Sequence, residues 1–249
     1  MIRLDVHGDG FSLYYKGQRL IEHTRRRPCL TVGMGDGHYG VTRGHFRIRD
    51  RVRERVPCRD FRILESGDGS DSTNARRSAS GTKAATRSTG RGVIEFTGLI
   101  RLVFSEEDGR LKLTFPDPKA SWNRVWLDLW AQPGEHIYGC GEQYSELDLR
   151  GKRLPVWSQE QGIGRGRGLI TLVAEAKMGA GGRWYSSYFP LAAFLSSRNW
   201  FCLCDSPCYA EFDFRSRYRH RLEFWQMGVV HHRRFSDFFH HPAFRKYNC

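Results

Sequence analysis

Short runs in which apolar and polar residues alternate, each closed by turn residues, constrain the fold of this chain most. Such runs lie at residues 11–15, 100–104 and 111–115. Alternation puts every second side chain on one face of an extended strand, so these runs predict half-buried strands. Asp108-Gly109 separates the last two runs. It is typical of a type I′ hairpin turn, because both central positions of that turn need positive φ.

One run is apolar on both faces. Val125, Leu127 and Leu129 share one parity, and Trp126 and Trp130 share the other. A strand of this kind is expected to lie centrally and to be covered on both sides. Further strands are predicted at 169–174, 200–204, 209–214 and 222–225. No stretch shows a clean period of about 3.6 residues. The pattern therefore predicts an all-β sandwich or barrel.

Two segments depart from this pattern. Residues 66–92 contain no aromatic residue and no Val, Ile or Leu, so we interpret them as a disordered basic insertion. Residues 229–249 form a basic tail rich in His and Phe, of unknown role. The predicted organisation is thus a β-sandwich over 1–228, carrying the insertion, followed by the tail. Each segment carries a net +3 of the total +13, which favours a solvated basic surface over a nucleic-acid partner.

Nothing in the composition predicts a membrane segment, a metal or a cofactor. No apolar run approaches the roughly 18 residues that a spanning helix needs, and residues 1–8 lack an apolar signal core, so a cytoplasmic location is expected. The odd number of cysteines, seven, favours reduced thiols. Cys202, Cys204 and Cys208 share parity and are predicted to be core residues. They and the His pairs at 231–232 and 240–241 lack the spacing of a metal site.

A glycine-punctuated stretch near the middle of the chain is the best candidate for a functional loop. It contains Tyr138-Gly-Cys-Gly-Glu-Gln143, Asp148-Leu-Arg-Gly151 and Trp157-Ser-Gln-Glu-Gln-Gly-Ile-Gly-Arg165. Glycine weakens a strand interior, whereas loops on a rigid scaffold carry functional groups. Glu, Gln, Arg and Trp offer hydrogen bonds and a flat apolar face to a polyhydroxylated ligand. These residues fit a surface hairpin with a buried Trp equally well.

This stretch resembles the N-terminal β-sandwich domain of glycoside hydrolase family 31, in particular its sulfoquinovosidase branch. The pattern YGCGEQ…DLRG…W…EQGVGR of that branch is matched from Tyr138 to Arg165. Shorter similarities occur at residues 33–35, 43–48, 104–111 and 209–214, so the resemblance extends from about Leu13 to Trp225. It implies an antiparallel β-supersandwich of the galactose mutarotase-like type.

The resemblance also implies glycosidase activity for the family, but it implies that this chain alone lacks the catalytic residues. Family members hydrolyse α-glycosides with retention, and this branch acts on α-sulfoquinovosides. Both catalytic carboxylates of the family belong to a (β/α)₈ barrel that follows the sandwich, and such a barrel takes about 250 residues. The 249 residues are therefore expected to be a non-catalytic N-terminal portion, inactive alone, whose partners are the missing barrel and, through it, a sugar substrate. The alternative is a stand-alone β-sandwich that binds an anionic carbohydrate or nucleic acid.

In the resembled family a loop of the sandwich closes the substrate pocket. The positions that match this loop are Trp157, Glu160, Gln161 and Arg165, which are predicted to bind substrate. A Glu160–Arg165 pair that only holds the loop together is the competing interpretation. Glu142 and Gln143 are expected to be structural. Without the barrel, the loop is expected to be exposed and mobile, because few contacts would hold its glycines in place.

Overall fold

A computed structural model describes residues 1–42, 45–65, 85–116, 122–166, 168–205, 208–225 and 229–234. In these residues the chain forms eighteen strands and one helix, α1 (Gly168–Met178). The first nine strands are β1 (Ile2–His7), β2 (Gly10–Tyr15), β3 (Gln18–Thr24), β4 (Leu30–Thr42), β5 (His45–Pro57), β6 (Phe61–Glu65), β7 (Ala85–Thr89), β8 (Arg91–Phe96) and β9 (Ile100–Glu107). The other nine are β10 (Arg110–Thr114), β11 (Arg124–Trp130), β12 (Ile137–Gly141), β13 (Arg153–Val156), β14 (Pro190–Ser196), β15 (Trp200–Asp205), β16 (Ala210–Asp213), β17 (Arg219–Trp225) and β18 (Val229–Arg234).

The strands build three antiparallel sheets. A four-stranded sheet has the order β3-β2-β1-β7, an eight-stranded sheet the order β12-β14-β15-β18-β10-β9-β8-β6, and a six-stranded sheet the order β13-β16-β17-β11-β4-β5. Many of the neighbours are distant in sequence, so the sheets are joined by crossovers as well as hairpins. This architecture confirms the predicted antiparallel β-supersandwich.

The alternating runs are strands, as predicted. The apolar residues of β2, β9 and β10 that share parity are almost fully buried, as are those of β11. At the predicted hairpin, Asp108 and Gly109 have φ of 51° and 71°, and the two flanking strands pair in register across them. β11 lies between β17 and β4, and both its Leu127 and its Trp126 faces are covered. The expectation of a central strand is confirmed.

One hydrophobic cluster holds the three sheets together. Phe194 on β14 packs edge-on against Phe212 on β16, with ring centroids 5.5 Å apart, which joins the eight-stranded and six-stranded sheets. Phe11 on β2 lies 6.4 Å from Phe96 on β8, which joins the four-stranded sheet to the eight-stranded one. Burial of large aromatic side chains in this way dominates the energetics of a sandwich core.

The predicted domain limits need two corrections. Residues 85–92 are not part of a structureless insertion: β7 pairs with β1, and β8 begins at Arg91. Residues 229–234 are not part of a separate tail, because β18 lies between β15 and β10 and completes the eight-stranded sheet. The neighbouring strands offer ladder hydrogen bonds to the backbone of almost any residue. The polar composition of β7 and β18 therefore did not prevent them from forming strands. Residues 66–84 and 235–249 lie outside the described residues.

The strand predicted at 169–174 is wrong, since these residues belong to α1. Gly179 follows the helix with a φ of 61°, the left-handed conformation with which helices commonly end. Ala174 is the buried residue of α1, whereas Leu169, Ile170 and Leu172 are 75%, 68% and 68% exposed. An apolar run that is not buried against its own domain carries no amphipathic period, so periodicity could not identify the helix.

The remaining expectations concern cysteines and membranes. Cys202 and Cys204 on β15 are free and buried, which confirms them as core residues, whereas Cys208 lies beyond the strand and is partly buried. In the described part of the chain, no three His, Cys, Asp or Glu side chains are placed to hold a metal ion. The helix found in those ranges is not long and apolar enough to cross a membrane.

Candidate functional site

The predicted loop, Trp157 to Arg165, lies directly after β13, and the chain continues it through Gly166; we call residues 157–166 the loop. This strand is the edge of the six-stranded sheet and pairs with β16 on one side. The chain then forms α1 and returns through residues 179–189 to β14; we call residues 179–189 the return segment. The loop and the return segment run beside each other, so two stretches about 20 residues apart in sequence form one surface.

Hydrogen bonds fasten the loop to the return segment. The Gln159 N–H donates to the Ser187 carbonyl at 2.9 Å, and the Ile163 N–H donates to the Ala180 carbonyl at 2.7 Å. The Ser158 hydroxyl donates to the Tyr188 carbonyl at 3.0 Å. The expectation of few contacts is therefore wrong. Its physical reason is the unpredicted α1 and return segment, which supply partners that the strand pattern did not show.

Glycines permit this close approach. Gly162 has a φ of 74°, and a Cβ added to it would lie 2.4 Å from the Cα of Gly182. Gly164 has a φ of 73°, and its added Cβ would lie 2.2 Å from the hydroxyl of Thr171 on α1. Only glycine combines positive φ at no steric cost with such short backbone separations. The Gly162-x-Gly164 spacing thus serves the contact between loop, helix and return segment.

Glu160 and Arg165 do not pair with each other; each binds the return segment instead. The Tyr188 hydroxyl donates to the Glu160 carboxylate, and this bond raises the pKa of Tyr188. The Arg165 guanidinium donates to the Ser186 carbonyl at 2.6 Å. The competing interpretation, a loop held together by an internal Glu–Arg pair, is therefore wrong, although both residues do have structural partners.

Arg165 has two further unusual features. Its φ is 51°, a left-handed value that is uncommon for a residue with a side chain. Its Nε is buried and has no hydrogen-bond partner among the described residues, while the guanidinium lies 5.6 Å from the ring centroid of Tyr144. A left-handed backbone and an unsatisfied buried donor each cost free energy, and such costs concentrate at functional sites.

Around these two partly buried residues lie four exposed side chains, and we call the six together the rim. Its members are Glu142, Tyr144, Glu160, Arg165, Tyr188 and Phe189. Tyr144 and Phe189 are both 70% exposed, and Tyr188 is 55% exposed. The Glu142 N–H donates to the Phe189 carbonyl at 3.0 Å, which joins the two ends of the rim. The charge of Glu142 raises the pKa of Tyr144.

Sequence reasoning missed the three aromatic members of the rim. Tyr144 lies inside the glycine-punctuated stretch, but it is not among the residues given a role there. Tyr188 and Phe189 lie more than 20 residues beyond the loop, and only the crossover through α1 brings them to it. Their signal is their exposure, since large aromatic side chains in contact with water often mark a binding surface.

Trp157 and Gln161 lie to one side of the rim. The Trp157 ring is half-buried, with its centroid 6.0 Å from that of Tyr209. The carbonyl of Gln161 faces Gly182, where an added Cβ would meet it at 2.1 Å, and its side-chain amide makes no hydrogen bond within the described ranges. The structure thus groups Glu160 with Arg165 through the return segment, and places Trp157 apart, against Tyr209.

The Asp148-Leu-Arg-Gly151 motif is structural. The Asp148 carboxylate accepts the N–H groups of Ile137 and Arg150 at 3.1 and 2.9 Å, and His136 Nδ1 lies 2.6 Å from it. Burial alone would raise the pKa of Asp148, but these hydrogen bonds outweigh it and lower that pKa. The carboxylate thereby closes the connection from β12 to β13.

Gln143 is structural as predicted, whereas Glu142 is exposed. The Gln143 side chain is buried, accepts the Glu146 N–H at 3.2 Å and donates to the Glu146 carbonyl. Glu142 contributes its backbone to the rim and leaves its side chain in solvent beside Tyr144. The rim therefore combines two carboxylates, one guanidinium and three exposed rings, a set that can stack on and hydrogen-bond to a polyhydroxylated molecule.

Comparison with known proteins assigns the family. The profile of the glycosyl hydrolase 31 N-terminal galactose mutarotase-like domain matches residues 41–165, which include the loop as far as Arg165. The chain belongs to glycoside hydrolase family 31. This glycoside hydrolase family 31 domain shares 35% identity over 221 residues with a sulfoquinovosidase of Escherichia coli (strain K12), and 31% over 218 residues with a sulfoquinovosidase of Agrobacterium fabrum (strain C58).

A solved structure supports the same relationship for the fold. A family 31 sulfoquinovosidase from E. rectale, in complex with the aza-sugar inhibitor IFGSQ, superimposes on 93% of this chain with a TM-score of 0.78 and 27% identity. The matches cover 88% and 87% of this chain, but only 30% and 29% of the two curated relatives. This family 31 chain thus spans about a third or less of the proteins that it resembles.

Proposed function

We propose that these 249 residues serve as the N-terminal, non-catalytic part of an α-glycosidase that hydrolyses α-sulfoquinovosides with retention. The observation that carries the proposal is the similarity to sulfoquinovosidases over nearly nine-tenths of the chain. Retaining hydrolysis needs two carboxyl groups roughly 5–5.5 Å apart, one as nucleophile and one as acid/base. The family supplies both from a barrel, so this chain alone is expected to be inactive.

The rim is the part of the domain that we propose closes the substrate pocket. Tyr188 orients the Glu160 carboxylate, and the Ser186 carbonyl holds the Arg165 guanidinium. Side chains held by fixed partners lose less entropy on binding a ligand than free ones, which favours them as substrate contacts. Glu160 would accept hydrogen bonds from sugar hydroxyls, Arg165 would donate them, and the exposed rings would cover the apolar face of the sugar.

The exposed face of α1 is the proposed contact with the barrel. Leu169, Ile170, Leu172 and Val173 expose apolar surface that their own domain does not bury. A contiguous apolar patch on one helix is typical of a surface covered by a partner. Since α1 connects the loop to the return segment, a barrel docked on it would also fix the rim.

A chimera tests this proposal. The 249-residue chain replaces the matching segment of the Escherichia coli sulfoquinovosidase, and the product is assayed with p-nitrophenyl α-sulfoquinovoside and p-nitrophenyl α-glucoside. We expect turnover of the sulfoquinovoside by the chimera and none by the 249-residue chain. Turnover by the chain alone would overturn the assignment as non-catalytic. A folded but inactive chimera would instead favour the stand-alone binding module.

A further inference from the structure

A cleft opens on the outer face of the six-stranded sheet, under the loop. It has a volume of about 920 Å³. One wall is α1 with the return segment, and the floor comes from β13 and β16. Trp157 lines it, but Glu160 and Arg165 do not. The cleft therefore presents a surface that the rim does not include.

Four aromatic rings line this cleft. Trp157 and Tyr209 lie on one side, with centroids 6.0 Å apart, and Tyr209 is backed by Trp225 at 4.5 Å. Trp184 and Tyr185 pack edge-to-face at 5.3 Å. All four lining rings are half-buried, so they are held in place by the domain and still expose part of their surface. Fixed, partly exposed rings are suited to covering the C–H face of a sugar ring.

A polarised carboxylate lies on the floor of the cleft. Arg153 on β13 donates both its Nε and Nη2 groups to one oxygen of Glu211, Oε1. Oε2 of Glu211 receives neither of these bonds, and the Glu211 side chain is 16% exposed. Burial, aided by nearby Glu223, raises the pKa of Glu211 despite the ion pair. Because burial strengthens a hydrogen bond to a charged acceptor, Oε2 offers a strong acceptor to a ligand hydroxyl.

Two donors in the cleft also lack internal partners. The Arg183 side chain is exposed and makes no ion pair or hydrogen bond with any described residue. Trp184, the next residue of the return segment, also lines the cleft, and its indole N–H donates no hydrogen bond to a described residue. A guanidinium can donate two parallel hydrogen bonds to adjacent hydroxyls or to a carboxylate. The cleft thus offers rings, an acceptor and donors, with the Lys152 ammonium 5.8 Å from the centroid of the Trp184 ring.

We propose that this cleft is a saccharide-binding site, in which Trp184 covers a sugar ring, Glu211 accepts a hydroxyl and Arg183 donates to hydroxyl or acidic substituents. Nucleic acid fits the site less well, because Glu211 already pairs with Arg153, and Glu175 and Glu211 offset part of the charge of Arg49, Arg153 and Arg183 in the lining. A lipid chain fits less well too, because the floor is an Arg–Glu pair. The inference rests on the cleft alone and requires no turnover.

Binding to the 249-residue chain tests the proposal. The chain is titrated with maltotriose, a neutral probe, and with methyl α-glucuronide, an anionic one, and followed by saturation-transfer NMR and tryptophan fluorescence. We expect both probes to bind. Trp184→Ala should weaken both by about tenfold, since it removes a stacking face. Glu211→Gln should weaken both by several fold, and Arg183→Ala should weaken the glucuronide more than maltotriose.

The controls separate binding from folding. Tyr218→Ala removes another exposed aromatic that does not line the cleft, and it should leave both affinities unchanged. Should Trp184→Ala fail to fold, Arg183→Ala still decides the matter, since its side chain has no internal partner to lose. Binding of neither probe, or binding that all three cleft variants leave unchanged, would overturn the proposal. Binding of trilysine, a cationic peptide, with no binding of either sugar would also overturn the proposal. None of these outcomes bears on the proposed glycosidase role.

Discussion

Nη1 of Arg150 lies 3.3 Å from Nδ1 of His220 and fixes the tautomer of that buried ring. Because a guanidinium only donates, Nδ1 must accept, and the ring proton therefore sits on Nε2. Nε2 in turn lies 3.1 Å from the Glu135 carboxylate, whose other oxygen accepts the Ser196 hydroxyl. This network joins the turn before β12 to β14 and β17.

The first prediction concerns the charge of Glu135. Burial raises its pKa, but hydrogen bonds from His220 and Ser196 outweigh burial and hold the pKa below its usual value near 4.5. A lowered folded-state pKa stabilises the fold above the unfolded-state pKa, and this stabilisation is lost as pH falls through the folded-state value. Glu135→Gln should therefore lower the free energy of unfolding at pH 7 by about 2 kcal/mol.

Calorimetry between pH 7 and pH 3 checks this. A loss of about 2 kcal/mol corresponds to a Tm lower by about 5 °C in a domain of this size. The difference between wild type and variant should shrink as the pH falls below about 4.5. Glu107→Gln, at an exposed carboxylate that pairs with Lys112, serves as the control and should change Tm little. A constant difference at every pH would show that the charge of Glu135 is not what stabilises the network.

Most of the strands followed from local patterns. Leu111 and Leu113 alternate with polar residues and are buried, and Asp108-Gly109 provides both positive φ values of the hairpin. These features are local, so they can be read without knowing the fold. β7 and β18 could not be recognised, because their strand character comes from the ladders of β1, β10 and β15 rather than from their own residues.

The rim could be predicted from the sequence only in part. The family resemblance identified Glu160 and Arg165, but their partners Tyr188 and Ser186 lie more than 20 residues away and meet them only through α1. That helix was itself hidden, because its Leu and Val residues face solvent in the described chain and so carry no core periodicity. Contacts that depend on an unrecognised crossover cannot be derived from spacing.

The second prediction concerns the junction of loop and return segment. Gly162 and Gly168 both have positive φ, of 74° and 76°, but only at Gly162 would a Cβ collide with backbone. Gly168→Ala should therefore cost only the left-handed strain, about 1 kcal/mol, and Gly162→Ala should cost more than about 2 kcal/mol. Hydrogen exchange should rise across residues 157–166 and 179–187 in Gly162→Ala alone. Equal effects of the two variants would mean that the close approach of Gly162 to Gly182 does not hold the loop.

The third prediction concerns the exposed face of α1. Apolar patches of this kind drive association, so the 249-residue chain should form concentration-dependent oligomers in sedimentation velocity. Leu169→Gln with Leu172→Gln should shift it to monomer without unfolding it, because glutamine has a helix propensity close to that of leucine. Leu64→Gln, at a partly exposed leucine on β6, is the control and should leave the association unchanged. If the double variant still associates as wild type does, the surface that drives association lies outside α1.

The last prediction tests the rim in the chimera with the Escherichia coli sulfoquinovosidase. Glu160→Ala and Arg165→Ala should each lower kcat/KM for the sulfoquinovoside by at least about tenfold, or ~1.4 kcal/mol of transition-state stabilisation. Tyr188→Phe should show a smaller loss of the same kind, because it leaves Glu160 in place but releases its carboxylate. Tyr218→Phe, at an exposed tyrosine outside the rim, is the matched control. In all four variants Tm should stay within about 2 °C of the parent chimera, as surface changes usually alter stability little. Lower Tm values with unchanged kinetics would mean that Glu160 and Arg165 only fasten the loop to the return segment.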